Sequence, residues 1–196
     1  MGSSARPLIV GSDSGPEPPF PLRMEGKVIS GFGRGSKELG IPTANLPVDA
    51  SVTPWIADIR SGVYFGWAAL DLPAAHPDHR PSAASSFTVF PMVMSIGYNP
   101  FYKNEVRSAE VHVLHRFGGD FYGATMRLLV LGFIREERDY SGLEALIEDI
   151  NFDCDVARRS LDREAWKPRD VEVVMGETDP SAEKVRGKLD CAWLVS

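Results

Sequence analysis

Between Gly62 and Arg135 the chain passes through four apolar stretches with no helical period between them: 62–72 (GVYFGWAALDL), 87–96 (FTVFPMVMSI), 108–117 (SAEVHVLHRF) and 124–135 (ATMRLLVLGFIR). All four are rich in β-branched and aromatic residues and read as strands. Strands that follow one another without helical crossovers pair antiparallel, and such a sheet commonly disposes of its edges by curling into a barrel. A further strand is expected to begin at Lys27–Phe32. Pro91 has no N–H to donate, which predicts a bulge or an edge in the second stretch. The turns include Gly118-Gly119-Asp120 and an aromatic-laden segment, 97–104 (GYNPFYKN). The stretch 73–86 (PAAHPDHRPSAASS) has loop composition, and His76 and His79 within it read as solvated loop histidines. Ser51–Ile59 is ambiguous.

The pattern changes at Ser141. Leu143, Leu146, Ile147, Ile150, Cys154, Ala157 and Leu161 recur every three or four residues. That period predicts an amphipathic helix over about 141–163 whose apolar stripe lies on the barrel. Ser141 and Glu144 have capping-box spacing at its start. Residues 1–23 are rich in Pro, Ser and Gly and read as an extended arm, with Phe20 and Leu22 as anchors. After Trp166–Pro168 a tail, 167–196, carries two candidate strands, Val171–Met175 and Cys191–Val195, and no legible role.

A chain of 196 residues with 43% hydrophobic and 24% charged residues suits one domain with a proper core. A net charge of −6 argues against a general nucleic-acid binder, which needs a basic surface to neutralise phosphates. Cys154 and Cys191 are too few and too far apart for a disulfide framework or a zinc site, which fits a reducing compartment. No apolar run reaches the roughly 20 residues of a membrane span. Leu8–Val10 is too short for a signal-peptide core. A cytoplasmic monomer without a membrane span is expected.

The segment Gly31–Asn45 (GFGRGSKELGIPTAN) carries the strongest hint of chemistry. Gly31, Gly33 and Gly35 permit close approach of a ligand to the main chain. Loop amides, with Ser36 and Lys37 beside them, suit an anionic guest such as a phosphate chain. Thr43 and Asn45 add two neutral hard oxygens, the donor type that Mg²⁺ takes alongside substrate phosphates. Neither the Walker order nor the dinucleotide glycine pattern is met. Pro42 and Pro47 forbid a long helix behind the loop. A nucleotide-phosphate site and a plain glycine-rich hairpin turn both remain open on this segment alone.

Strand alternation in 108–117 puts Ala109, Val111 and Val113 on one face, with Glu110 and His112 on the other. Glu110 then points either into a cleft, as a general base for an attacking hydroxyl, or to solvent beside Arg107 or Arg127. His112 and His115 face opposite sides of a strand and do not form a metal pair. Arg135, Arg138 and Tyr140 lie between the last strand and the helix, where they either grip a planar polar ligand or form ordinary surface charge.

Taken together, GFGRGSKELGIPTANLP, SGVYFGWA, VMSIGYNPFYKN, SAEVHVLHRF, DFYG and LGFIREERDYSGLEALI resemble, in order and spacing, the riboflavin kinases (flavokinases) of the monofunctional eukaryotic, fungal-like type. The resemblance covers about Phe20 to Leu161. It implies a closed six-stranded antiparallel Greek-key β-barrel with a C-terminal helix packed on it, within a catalytic domain over 24–166. It implies transfer of the γ-phosphate of ATP to the ribityl 5′-hydroxyl of riboflavin, giving FMN and ADP. Carried over by similarity, Thr43 and Asn45 hold Mg²⁺ (Zn²⁺ in some members) and Glu110 is the catalytic carboxylate. Gly31, Gly33, Gly35, Ser36, Lys37, Val113, His115 and Tyr122 line ATP, and Arg135, Arg138 and Tyr140 contact the flavin. Glu136 stands where related kinases often carry proline, and the 73–86 insert and the tail lie outside the matched part. A non-catalytic flavin-binding barrel and a nucleic-acid-binding barrel are the rival readings. A second, adenylylating activity has no residues left to house it.

Overall fold

The structure, a computed structural model, describes residues 6–30, 43–80, 85–98, 107–179 and 181–196. Within them lie β1 (Leu22–Lys27), β2 (Ala44–Leu46), β3 (Gly62–Asp71), β4 (Thr88–Tyr98), β5 (Arg107–Val113) and β6 (Thr125–Arg135). These are followed by α1 (Leu143–Leu161), β7 (Glu172–Val173), β8 (Glu183–Lys184) and a short α2 (Ala192–Val195). The main sheet runs β1-β6-β3-β4-β5-β2, and every pair along that path is antiparallel. β7 adds to β4 in parallel and β8 pairs with β7.

Two apolar clusters explain why β3, β4 and β6 read as nearly continuous hydrophobic runs: both faces of these strands are covered. One cluster fills the concave side, with Met24, Tyr64, Leu70, Met94, Val111 and Val130 among its members. The other lies outside, where Phe65, Trp67, Leu131, Cys154, Leu161 and Leu194 join the sheet to α1 and the tail. Of the apolar stripe expected of 141–163, the C-terminal half packs against the sheet through Ile150, Cys154, Ala157 and Leu161, while Leu143 is 55% exposed.

Several expectations need correction. The six-strand path gains two short strands, and among the described residues no strand ladder joins its two edges. A single bridge, Ile29–Asn45, links the chain after β1 to β2. β1 begins at Leu22 rather than Lys27, because Met24 points to the core while Arg23, Glu25 and Lys27 stay exposed. α1 begins after Gly142, an extended residue at φ −171°, and no side-chain cap hydrogen bond forms, so the Ser141–Glu144 box is not used. Pro91 sits inside a central strand, yet locally it is an edge. Its carbonyl accepts from Leu114 N (2.9 Å) beyond the end of β5, so the side on which its N–H is missing faces no strand. The predicted strand 108–117 stops at Val113, where the chain turns with His115 N donating to Val113 O (2.8 Å). Cys191–Val195 forms a helical turn, started by Asp190 accepting from Ala192 N (3.1 Å) and seated by buried Cys191 and Leu194. The ambiguous 51–59 stretch contains a 3₁₀ turn at Pro54–Ile56. Among the described residues no helix is long and apolar enough to cross a membrane.

Candidate active site

Register determines which residues can act together. Asn45 of β2 lies opposite Glu110 of β5, and Glu110 lies opposite Ser95 of β4. Ser95 lies opposite Val63 of β3, and Val63 lies opposite Arg135 of β6. Directly opposed residues in an antiparallel ladder share a face, so Asn45, Glu110, Ser95 and Val63 form one cross-strand row. Their chain neighbours Ala44, Leu46, Ala109, Val111, Met94, Ile96 and Tyr64 all point to the inner cluster, which turns the row outward. Arg135 stands at the row's far end, past a register shift, and reaches α1 on that outer side. With strands about 4.8 Å apart, Glu110 is about 5 Å from Asn45 and about 15 Å from Arg135, backbone to backbone.

Asn45 is only 4% exposed, and its Oδ1 is buried with no hydrogen-bond partner among the described residues. An orphaned buried carbonyl oxygen is costly and marks a group shaped for something else to bind. Thr43, two residues before it, is half-buried. The Ile29–Asn45 bridge (Ile29 N to Asn45 O, 2.9 Å) sets Ser30 and Thr43, the two ends of segment 31–42, at this corner. Gly31, Gly33, Gly35, Ser36 and Lys37 lie outside the described residues. Tyr122, half exposed, joins the same corner, since Gly123 N donates to Val28 O (2.8 Å) and Val28 N to Ala124 O (2.9 Å).

Val113 and His115 reach this end of the sheet with their side chains turned inward. Val113 is in the inner cluster. His115, 4% exposed, hydrogen-bonds Gly176 O through Nδ1 (3.0 Å), faces Asp78 through Nε2 (3.9 Å) and packs on Phe90 and Phe117. The tail and the 73–80 loop therefore cover His115, leaving main-chain atoms as what these two residues can present to a ligand. His76 is likewise no solvated loop residue: Nε2 meets Gly119 O (3.1 Å) and the ring packs against Phe117 and Phe121.

At the other end of the row, Arg135, Arg138 and Tyr140 converge on α1. Arg135 binds Asp153 with Nε (2.9 Å) and Nη2 (2.7 Å) to Oδ2, Tyr140 donates to Asp149 Oδ2 (2.7 Å), and Arg138 Nη1 approaches the same oxygen (3.4 Å). Arg6 of the N-terminal arm pairs with both aspartates. Loss of water and the bond to Asp149 push the Tyr140 hydroxyl up to about 12. Partial burial would raise Asp149, but the Tyr140 hydroxyl and the three arginines outweigh it and hold this carboxyl below its usual range. Arg127 is committed to Glu25 (2.6 Å) and Arg107 to the Ile56 carbonyl and Ser61. The sequence gives no sign of Asp149, Asp153 or Arg6 at this site, because helical period alone does not reveal what faces a helix's polar edge.

A small antiparallel β fold with a helix across its outer face, the flanks of a glycine-rich sequence at the corner of a row that holds a carboxylate, and a cation–aromatic cluster at the end of the same row together suit a nucleotide-dependent transferase of small molecules. The profile of the riboflavin kinase family (Flavokinase) matches residues 18–161, and the chain belongs to that family. Similar curated proteins include the riboflavin kinase of Chaetomium globosum, 60% identical over 97% of this chain and 93% of that protein. The riboflavin kinase of Pyricularia oryzae is 64% identical over 98% of this chain and 96% of that protein. Among solved structures, riboflavin kinase from Trypanosoma brucei superposes with a TM-score of 0.56 at 30% identity, over 75% of this chain and 83% of that one.

Proposed function

We propose that this chain transfers the γ-phosphoryl group of ATP to the 5′-hydroxyl of riboflavin's ribityl side chain, releasing FMN and ADP. Family membership supports the overall reaction, and one observation carries the assignment of residues. Glu110 stands one strand step from an Asn45 whose carbonyl oxygen is buried without a partner among the described residues, on a row that leads to Arg135.

Phosphoryl transfer asks little covalent chemistry of a protein and depends on positioning and charge neutralisation. Segment 31–42, through its loop amides and Lys37, receives the phosphates. Tyr122 and the main chain at Val113 and His115 border the nucleotide. Thr43 and Asn45 offer neutral hard oxygens, a donor set that fits Mg²⁺ shared with phosphate oxygens. It does not fit zinc, which prefers nitrogen and sulfur, and no cluster of three His, Cys, Asp or Glu residues that could hold a metal occurs among the described residues. When bound, the ion neutralises the charge on the phosphates. Arg135, Arg138 and Tyr140 orient the flavin end of the acceptor. Glu110 takes the proton of the attacking hydroxyl, fixed in place by a strand paired on both sides. The free buried thiols of Cys154 and Cys191, both pushed up to about 12 chiefly by burial, suit the reducing cytosol proposed as the setting.

Glu110→Gln tests this directly. FMN formation should fall by about 10²–10⁴-fold, the usual worth of a positioned general base, while ATP affinity stays close to wild type. Turnover near the wild-type value would remove Glu110 from the mechanism.

A further inference from the structure

One acidic side chain over the row has no part in that mechanism. Glu137 follows β6 by two residues, and it is exposed. Its carboxylate nevertheless lies against β4 at Gly97. A Cβ added at Gly97 would stand 2.7 Å from Cδ, so a side chain there would push the carboxylate aside. Gly97 lies two residues along β4 from Ser95, hence on the same outward face and about 7 Å away. Glu137 feels the charges of Arg107, Arg135 and Glu110, and its own carboxyl is held above the usual range chiefly by loss of water. Among the described residues its carboxylate accepts no hydrogen bond.

The proposed acceptor has its ring end at Arg135, Arg138 and Tyr140 and its reacting hydroxyl at Glu110. The chain between these ends must cross the part of the row flanked by Val63, Ser95 and the carboxylate on Gly97. That chain carries several hydroxyls. Val63 offers them nothing and Ser95 offers one hydroxyl, whereas a carboxylate has two oxygens that accept strong charge-assisted hydrogen bonds.

We propose that Glu137 is the substrate-recognition residue for the ribityl hydroxyls, so that the site selects flavins with a polyhydroxylated side chain over flavins with a plain alkyl chain ending in one hydroxyl. This rests on the riboflavin kinase reading above. A site that positions an acceptor for a substrate hydroxyl discriminates against an analogue that lacks that hydroxyl.

The test compares riboflavin with 7,8-dimethyl-10-(5-hydroxypentyl)isoalloxazine, which keeps the ring and the reacting hydroxyl and loses the other three hydroxyls. Glu137→Ala should lower kcat/KM for riboflavin by about 10–100-fold, the worth of hydrogen bonds to a charged group, and should lower it far less for the analogue. The preference for riboflavin then collapses. Gly97→Ala, which evicts the carboxylate while leaving Glu137 intact, should collapse the same preference. Equal losses on both substrates, or an unchanged preference in Glu137→Ala, overturn the inference while wild-type FMN formation still upholds the kinase reading. Failure of the wild-type protein to form FMN at all overturns both.

Discussion

The residue on which the site turns is Asn45 as much as Glu110. Folding has buried its amide oxygen with no hydrogen-bond partner among the described residues, which costs about 1–3 kcal/mol for a group left unsatisfied. A structural asparagine would be expected to have that oxygen bonded. Asn45→Ala should therefore change the stability of the ligand-free protein by no more than about 1 kcal/mol in urea unfolding, because the lost packing is offset by removal of an unsatisfied group. The rise in thermal midpoint produced by ATP with Mg²⁺ should shrink sharply in the same variant. A loss of several kcal/mol without ligand, with the ligand effect intact, would make Asn45 a purely structural residue. The face of Glu110 was legible in the sequence from strand alternation, whereas Asn45 drew attention as a neutral oxygen donor and through the family resemblance, with no strand expected at 44–46. Glu137 was not legible. It lies in a loop, and its partner in placement is Gly97, forty residues earlier, whose lack of a side chain signals a close approach without saying what approaches.

Between elements, the contact that positions the flavin-side residues is the polar edge of α1. Asp153 is 1% exposed and holds Arg135 from the end of β6 and Arg6 from the arm, while Asp149 receives Tyr140 and Arg138. The helix thus fixes both ends of the loop 136–140 that carries Glu137. The apolar period of α1 made the helix and its buried stripe predictable. Its start was misplaced because Ser141–Glu144 has the right spacing but Gly142 takes the capping position. Asp153→Asn keeps the shape and removes the charge from a buried pair, which should cost about 3–5 kcal/mol in urea unfolding. Arg6→Ala, acting on the more exposed partner, should cost about 1 kcal/mol or less. A similar small cost for both would mean that α1 does not brace the loop. The strand pattern was equally legible, except where Pro91 turned a central strand into a local edge that only the early end of β5 explains.

At the scale of the whole molecule, the two termini that looked like appendages complete the outer core. Trp166 stacks on Phe65 of β3, its carbonyl accepts from Trp67 Nε1 (2.9 Å), and its own Nε1 donates to Ser12 O (2.9 Å). Arg163 donates to the carbonyls of Val10, Gly11 and Ser12, so the arm is tied by its main chain as well as by the Arg6 and Asp13 side chains. This is why composition misrepresented it: a Pro-, Ser- and Gly-rich segment offers little apolar surface, yet its backbone carbonyls can be satisfied by a helix end. The tail does the same work opposite, where Val173 and Leu194 enter the outer cluster and Arg127 binds the Trp193 and Ser196 carbonyls. Gly11 decides whether the arm can seat. Its φ of +82° is open to glycine and strained for other residues, and a Cβ there would strike the Trp166 ring. Gly11→Ala should thus lower stability by about 1–3 kcal/mol, from backbone strain and displacement of the arm, with a lower thermal midpoint and altered tryptophan emission. Because Arg6 comes with the arm, the same variant should also weaken the hold on Asp149 and Asp153 and raise KM for the flavin more than for ATP. An unchanged midpoint with unchanged emission would show that the arm does not rest on Trp166 in solution, and the coupling from the arm through α1 to the row would then fail with it.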